Sequence, residues 1–438
     1  MATIAPPAPR LESARAPQVA EAPTSRPYWV LTVLVLVYTF NFLDRQILGI
    51  LAPSIQRSLS LTDTQLGLMG GLAFAAFYCG LGVPVAWLAD RRSRVWIMTV
   101  ALTVWSGFTA ACGLATGFWQ LFLCRMGVGV GEAGGVAPAY SLISDYFPPA
   151  QRGRALAVYS FGIPIGSALG ILFGGLIAAA IDWRTAFFVV GVAGVLLAPV
   201  LRLTVKEPPR GRFDAGKPAG PAPGLASVLG LLARKPSFWL VSLGAAASSV
   251  CGYGVAFWLP SFFMRSLGLD LVQTSLFFSA ITLLGGLAGI WGGGWLADRL
   301  RAGGRGRGAY AVVPAAAFLI ALPCFFLALQ AGSLPAAFLL FVIPAGLNLA
   351  WLGPVVTAVQ HLAPASMRAT ASACFLLVNN LVGIALGTWY FGFVSDLLAP
   401  RFGAESLRYA ILSGGLFYVL GAGLFLLAAR RLGRDWVE

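Results

Sequence analysis

The chain has 438 residues, 58% of them hydrophobic and only 11% charged. A water-soluble domain carries about 25% charged residues, so much of this surface faces lipid, and neither a soluble core nor helices lying on a membrane fits the long apolar runs. The net charge of +14 would point to nucleic acid in a soluble protein. Here Lys and Arg fall in short loops between apolar runs, which is the positive-inside bias of a membrane protein, and no nucleic-acid partner is expected.

Residues 1–27, rich in Ala and Pro, read as a disordered cytoplasmic tail without a cleaved signal, so the first apolar run serves as the insertion signal. A helix needs about 20 apolar residues to cross a bilayer. Twelve such runs follow, near 28–52, 65–89, 95–117, 119–143, 153–181 and 184–204, then 237–264, 273–297, 309–330, 334–361, 369–396 and 406–429. They lack the alternation of barrel strands. The predicted fold is all-α, with a six-helix bundle over 28–204, a Pro-rich cytoplasmic linker over 205–236, a second bundle over 237–430 and a cytoplasmic tail over 431–438. With both termini in the cytoplasm, tails and inner loops hold 23 Lys/Arg, outer loops five and span interiors two.

The two halves echo each other. Trp87-Leu88-Ala89-Asp90-Arg91 returns 208 positions later as Trp295-Leu296-Ala297-Asp298-Arg299, and Pro138, Pro148 and Arg152 recur as Pro354, Pro364 and Arg368, shifted by 216. Self-similarity over half a chain is the mark of duplication, and paired halves around a cleft are how many transporters are built. Asp90, Arg91, Arg94, Asp145, Arg152 and Asp298 are candidate inner-gate residues: a carboxylate there caps a neighbouring helix or pairs with a loop arginine while that side is shut. Gly162, Pro164, Gly166, Gly170, Gly174 and Gly175 mark the fifth span as able to bend.

Four ionisable residues fall inside spans: Asp44 and Arg45 in the first, Arg125 and Glu132 in the fourth. A charge at the bilayer centre costs about 2.5–3.5 kcal/mol on insertion scales, so such groups face a partner or a wet cavity. Helical spacing puts Tyr38, Asn41 and Arg45 on one stripe with Asp44 beside it, and aligns Arg125, Gly129 and Glu132 on another. Asp44 and Glu132 are the proton-coupling candidates; Asn41, Arg45 and Arg125 are substrate-binding candidates. An anion that takes the arginine would free the carboxylate to bind a proton. The alternative is a structural ion-pair network. The second half has no deep charge, with His361 and Asn348 standing where the first half has Asp145 and Glu132. Asn348 and Asn379 are its substrate-binding candidates. Its plentiful aromatics, Phe257, Trp258, Phe262 and Phe263 among them, either line an apolar wall suited to an amphiphile's tail or face lipid.

Six cysteines lie singly in apolar segments and His361 is the only histidine. No metal site, disulfide framework or cofactor is expected, and no Ser/His pair or GxSxG elbow points to an enzyme.

Twelve spans in two halves, with WLADRRSR after the second and WLADR after the eighth, resemble the major facilitator superfamily, as does Arg125-Met-Gly-Val-Gly-Val-Gly-Glu132 in the fourth. Asn41-Phe-Leu-Asp44-Arg45, Gly131-Glu132-Ala133 and Pro138-Ala-Tyr-Ser-Leu-Ile-Ser-Asp145 resemble its Spinster branch. One position departs: Ala86 stands where the loop motif usually has Gly, which Gly294 keeps in the second copy. The resemblance implies proton-coupled alternating access and an amphiphilic substrate such as a lysophospholipid or sphingosine-1-phosphate-like lipid. It makes Asp44 and Glu132 proton sites, Arg45 and Arg125 head-group or relay residues, and Asp90 the inner-gate acid. The expected partners are the bilayer, a small amphiphile and protons, for a monomer in the cell membrane. The alternatives are a small organic-anion or drug carrier and a membrane receptor that does not transport.

Overall fold

A computed structural model of the chain describes residues 26–213, 225–364 and 367–437. The expected tail up to residue 25, residues 214–224 of the linker and residue 438 lie outside the described residues.

Helices follow one another from end to end. The first crossing is α1 (Pro27–Leu59), the second α2 (Asp63–Gly70) with α3 (Leu72–Ala89), and the third α4 (Arg94–Cys112). The fourth is α5 (Phe118–Glu132) with α6 (Val136–Tyr146), the fifth α7 (Pro149–Ser160) with α8 (Gly162–Ala180), and the sixth α9 (Trp183–Thr204). After α10 (Leu225–Ala233), the second bundle runs through α11 (Pro236–Ser266), α12 (Leu271–Leu300), α13 (Ala309–Leu329), α14 (Leu334–Leu347) with α15 (Leu352–His361), and α16 (Arg368–Phe402). It ends with α17 (Ser406–Ser413) and α18 (Gly415–Asp435). Among the described residues, ten helical stretches are long and apolar enough to cross a membrane. The last of them, Thr370–Asp435, holds two crossings, and the fourth crossing, which carries Arg125 and Glu132, falls outside that measure. Among the described residues the total is twelve, in two six-crossing bundles.

Local sequence sets the helix ends. Thr62 and Gln65 form a capping box at the start of α2, and Asp270 and Gln273 form its counterpart on α12. Ser60 closes α1 in the left-handed region. Crossings four and ten break at matching places: α5 ends at Glu132 and α14 at Leu347, just before Asn348. Two boundaries differ from the sequence reading. The linker contains α10, and the expected tail at 431–438 is helical through Asp435. Asp435 extends the helix because its carboxylate accepts from the Ser237 N–H at 3.1 Å and its carbonyl from Lys235 Nζ at 2.6 Å, so it caps the start of α11.

Both termini of the helical array lie at one end, the terminal end; the loops after α1, α11 and α16 mark the far end. Toward the far end the halves interlock closely. The Phe257 ring of α11 sits against Gly49 of α1 and Gly70 of α2, where an added Cβ would come within 3.3 Å of the Phe257 carbonyl and 2.5 Å of its ring. A Cβ on Gly67 would meet the Thr388 carbonyl of α16 at 2.5 Å. Nearer the terminal end, Gly80 and Gly82 on α3 and Gly292 and Gly294 on α12 meet nothing within 4 Å. The halves thus join at the far end and part at the terminal end.

Candidate functional site

Where the halves part, α1 and α5 bring charge together. Arg45 Nε donates to Glu132 Oε2 at 2.7 Å; the Glu132 side chain is fully buried and that of Arg45 is 11% exposed. The guanidinium lies among the rings of Phe42, Phe74 and Tyr78, at 5.0, 4.9 and 4.6 Å from their centroids. Cation–π attraction holds it there without using up its N–H donors. Tyr253 of the second half packs against this first-half cluster and faces Arg45. Glu132 Oε1 and Arg45 Nη2 are buried without a strict hydrogen-bond partner.

Behind this pair, Asn41, Asp44 and Arg125 are buried too, at 2%, 0% and 2% exposure. Arg125 lies 5.7 Å from the Phe74 centroid, so that one ring attends both guanidiniums. Both Asp44 oxygens, both Asn41 amide atoms and Arg125 Nε and Nη1 have no strict hydrogen-bond partner. All five first-half candidates therefore fall in one buried constellation. Such a concentration of poorly satisfied polar groups is unfavourable for stability alone, where burial demands full pairing.

The second-half candidates stand apart from that constellation. The Asn379 carbonyl accepts from Ser249 Oγ at 2.8 Å, and its amide donates to Asn380 at 3.3 Å. Asn348 accepts from the Tyr418 hydroxyl at 3.2 Å and packs against Gly252. Both amides are engaged within their own bundle, and Tyr253 is the second-half side chain that reaches Arg45.

The inner-gate candidates fall into separate groups. Arg94 is the centre of one: it pairs with Asp145, and donates to Glu207 at 2.7 Å, Ser141 at 2.8 Å and the Pro208 carbonyl at 3.1 Å. Asp145 also accepts from the Gly211 N–H at 2.9 Å. The segment after the sixth crossing is thereby strapped across the starts and ends of crossings three and four. Burial pushes the Glu207 carboxyl up, but donation from Arg94, the Val95 N–H and Ser93 outweighs it and holds the group below the usual carboxylate range. Arg152 donates to the carbonyls of Ser144 and Phe147, closing the end of α6. Asp90 is exposed at the end of α3, while Arg91 lies 3.9 Å over its own Trp87. The cap of α4 expected from such an acid comes from Ser93 instead. Asp298, also exposed, accepts from the Tyr310 hydroxyl at 3.4 Å. None of these contacts joins one half to the other, since the halves are apart at this end.

A far-end lock escaped the sequence reading. Arg265 of α11 grips both oxygens of Asp63 at 2.8 and 2.7 Å and Gln56 at 2.7 Å. Asp396 of α16 accepts from the N–H groups of Asp63 and Thr64 at 3.2 and 2.7 Å, and from the Thr64 hydroxyl at 2.6 Å. Ser395 donates to Asp63 at 2.7 Å. A carboxylate on a helix N-terminus is favourably placed against the helix dipole, and here the other half supplies it. The legible signal was the pair of capping boxes, Thr62/Gln65 and Asp270/Gln273, shifted by the same 208 as the loop motif.

The sequence profile of the Major Facilitator Superfamily matches residues 34–388. The chain belongs to the major facilitator superfamily. Within it the protein is Spinster-like, a transporter and not an enzyme. An MFS-type efflux pump of Mycolicibacterium smegmatis is 34% identical over 409 residues, covering 93% of each chain. Protein spinster homolog 1 of Homo sapiens is 32% identical over 425 residues, covering 91% of this chain and 79% of that one. Among solved structures, a bacterial homolog of the human lysosomal transporter Spinster, inward-facing and unoccupied, superposes with a TM-score of 0.83 at 31% identity, covering 94% of this chain and 99% of that one. A D-xylose–proton symporter shares the fold, with a TM-score of 0.70 at 16% identity, covering 94% and 98%.

Proposed function

We propose that this protein is a proton-coupled secondary transporter of an anionic or zwitterionic amphiphile, a lysophospholipid or a sphingosine-1-phosphate-like lipid, working by alternating access. The observation that carries the reading is the buried Arg45–Glu132 pair at 2.7 Å, whose arginine retains exposure while its carboxylate has none. An anionic head group entering between the halves reaches Arg45 first and draws it from Glu132. A carboxylate left alone in low dielectric binds a proton, so head group and proton bind together. The ring-lined approach at Phe42, Phe74, Tyr78 and Tyr253 supports an apolar tail. The basic loops at the terminal end support a cytoplasmic placement of that end, in the cell membrane, and hence an inward-facing state. In this reading, Asp90, Arg91, Arg94, Asp145, Arg152 and Asp298 meet across the inner side when it closes.

The test is reconstitution in vesicles with an internal pH-sensitive dye and a panel of lysolipids. Glu132→Gln and Asp44→Asn are expected to abolish pH-driven uptake while the protein stays folded; normal pH-dependent uptake by both removes the proton role. A second reading, export of a small organic anion or drug, draws support from the 34% identity to a mycobacterial efflux pump. Competition by a homologous series separates the two: affinity indifferent to acyl-chain length favours the drug carrier.

A further inference from the structure

The proton-linked reading leaves unexplained why a second fully buried carboxylate, Asp44, lies near Glu132. Its neighbours are not on the approach between the halves. On α4, Trp105 and Thr109 are each 0% exposed. Trp105 Nε1 and Thr109 Oγ1 are buried without a strict partner, as are Asp44 Oδ1 and Oδ2 and Arg125 Nε and Nη1. Arg125, Thr109 and Trp105 all face Asp44. Three helices, α1, α4 and α5, thus direct their unpaired polar atoms into one compartment.

That compartment is walled off. A Cβ on Gly131 would fall 2.5 Å from the Trp105 backbone nitrogen, so α4 and α5 meet backbone to backbone. The crevice that Asn41 and Trp105 line with Tyr38, Gly135, Val136 and Tyr159 has no room for a water molecule. Phe74, 2% exposed, packs against both Arg45 and Arg125.

We propose that Asp44, Arg125, Trp105 and Thr109 form a sealed proton cell beyond the substrate's reach, in which Trp105 and Thr109 are positioning residues that hold the Asp44 carboxylate. The inference rests on the proton-coupled reading above. It divides the labour: Glu132 takes the proton when the head group draws Arg45 away, and passes it to Asp44, which stores it. The chemistry of the donors fits the division. Trp Nε1 and Arg only donate, so they serve ionised Asp44; the Thr109 hydroxyl donates to the carboxylate and accepts from the carboxylic acid, so it serves both states by turning. The other titratable groups facing the cell are Glu132 on α5, Cys112 on α4 and, through Arg125, Cys124. Arg45 adjoins it on α1.

A hydrogen bond to a charged group is stronger than one between neutral groups, so deleting either donor weakens ionised Asp44 more than the protonated acid. Proton-driven flux of a lysolipid in vesicles, measured against pH, reads this out. Thr109→Val, of the same shape, and Trp105→Phe are expected to move the midpoint of the profile to higher pH by about half a unit or more, with lysolipid KM unchanged. Thr109→Ser restores the hydroxyl and the original midpoint. If Trp105→Phe fails to fold, Thr109→Val decides alone. An unmoved midpoint in Thr109→Val, with Asp44→Asn uncoupled, overturns the sealed cell and leaves the transport reading standing. A raised KM in Thr109→Val with the midpoint unmoved likewise overturns it, placing the residue on the substrate's route. Coupled, pH-dependent transport by Asp44→Asn overturns the reading beneath.

Discussion

The two bundles place a clamp at the same position and build it from different chemistry. In the first, Arg94 at the start of crossing three meets Asp145 at the end of crossing four, and Glu207 from the segment after crossing six closes over them. The positions shifted by 216 are Tyr310 and His361. There the C-terminal segment does the closing: Trp436 stacks on His361 at 4.4 Å and on Tyr310 at 5.9 Å, and the Val437 N–H donates to the His361 carbonyl at 2.7 Å. The same contrast recurs deeper, where Glu132 faces Arg45 and its counterpart Asn348 bonds Tyr418. Duplication kept the backbone plan and left the side-chain chemistry free to diverge. At these two matched places ion chemistry gathered in the first bundle, and neutral amides and rings in the second.

The sharpest way to break this comparison is to exchange the two walls. Glu132→Asn is expected to reduce proton-driven uptake to background, and adding Asn348→Glu is expected not to restore it, because no guanidinium waits on that side; recovery in the double variant, measured in vesicles, would make the halves interchangeable. Next in size is stability. Arg45→Ala leaves Glu132 buried and unpaired, a loss of about 3–5 kcal/mol, whereas Asn348→Ala removes one neutral hydrogen bond worth about 1 kcal/mol. Thermal unfolding in detergent compares the two. Between the halves, Arg265→Met deletes charged hydrogen bonds of about 1.5–3 kcal/mol and is expected to shift the population toward an open far end, read as a longer spin-label distance across that end.

The smallest effect is the most diagnostic of the clamps. Donation from Arg94, Val95 and Ser93 holds the Glu207 carboxyl below its ordinary value, so its contribution is present above that value and is lost as pH falls through the lowered one. Glu207 is partly exposed, which keeps the effect within about 1 kcal/mol and makes it salt-sensitive. The Trp436 stack contributes about 0.5–1.5 kcal/mol with no such salt dependence. Hydrogen exchange of residues 206–211 is expected to rise as salt rises and as pH falls through the Glu207 value, while that of Trp436 and Val437 is expected to hold at rising salt.

Much of this was legible in the sequence, for identifiable reasons. Apolar runs announce crossings because lipid admits little else, and Asp44, Arg45, Arg125 and Glu132 stood out as ions in such runs. The breaks at Glu132 and Asn348 did not stand out, because the runs 119–143 and 334–361 stay apolar through them. The clamps and the lock did not stand out. Glu207 and Arg265 sit at span ends, where charge is ordinary, and their partners lie 113 and 202 residues away. Trp436 is one of 13 tryptophans, and composition does not separate a stacked ring from a lipid-facing one. Asn348 and Asn379 were chosen as amides in apolar runs, and periodicity could not say that each would be occupied by a neighbour in its own bundle.

The seat of Phe257 between Gly49 and Gly70 has a mechanical consequence. Hydrogen bonds such as those of Arg265 hold only near one geometry and release together once it is lost. A flat ring on two bare backbones has no preferred angle, and dispersion contact survives a turn of several degrees. It serves as a bearing: the bundles can swing about it while staying touched, so the molecule need not come apart to change the side on which it opens.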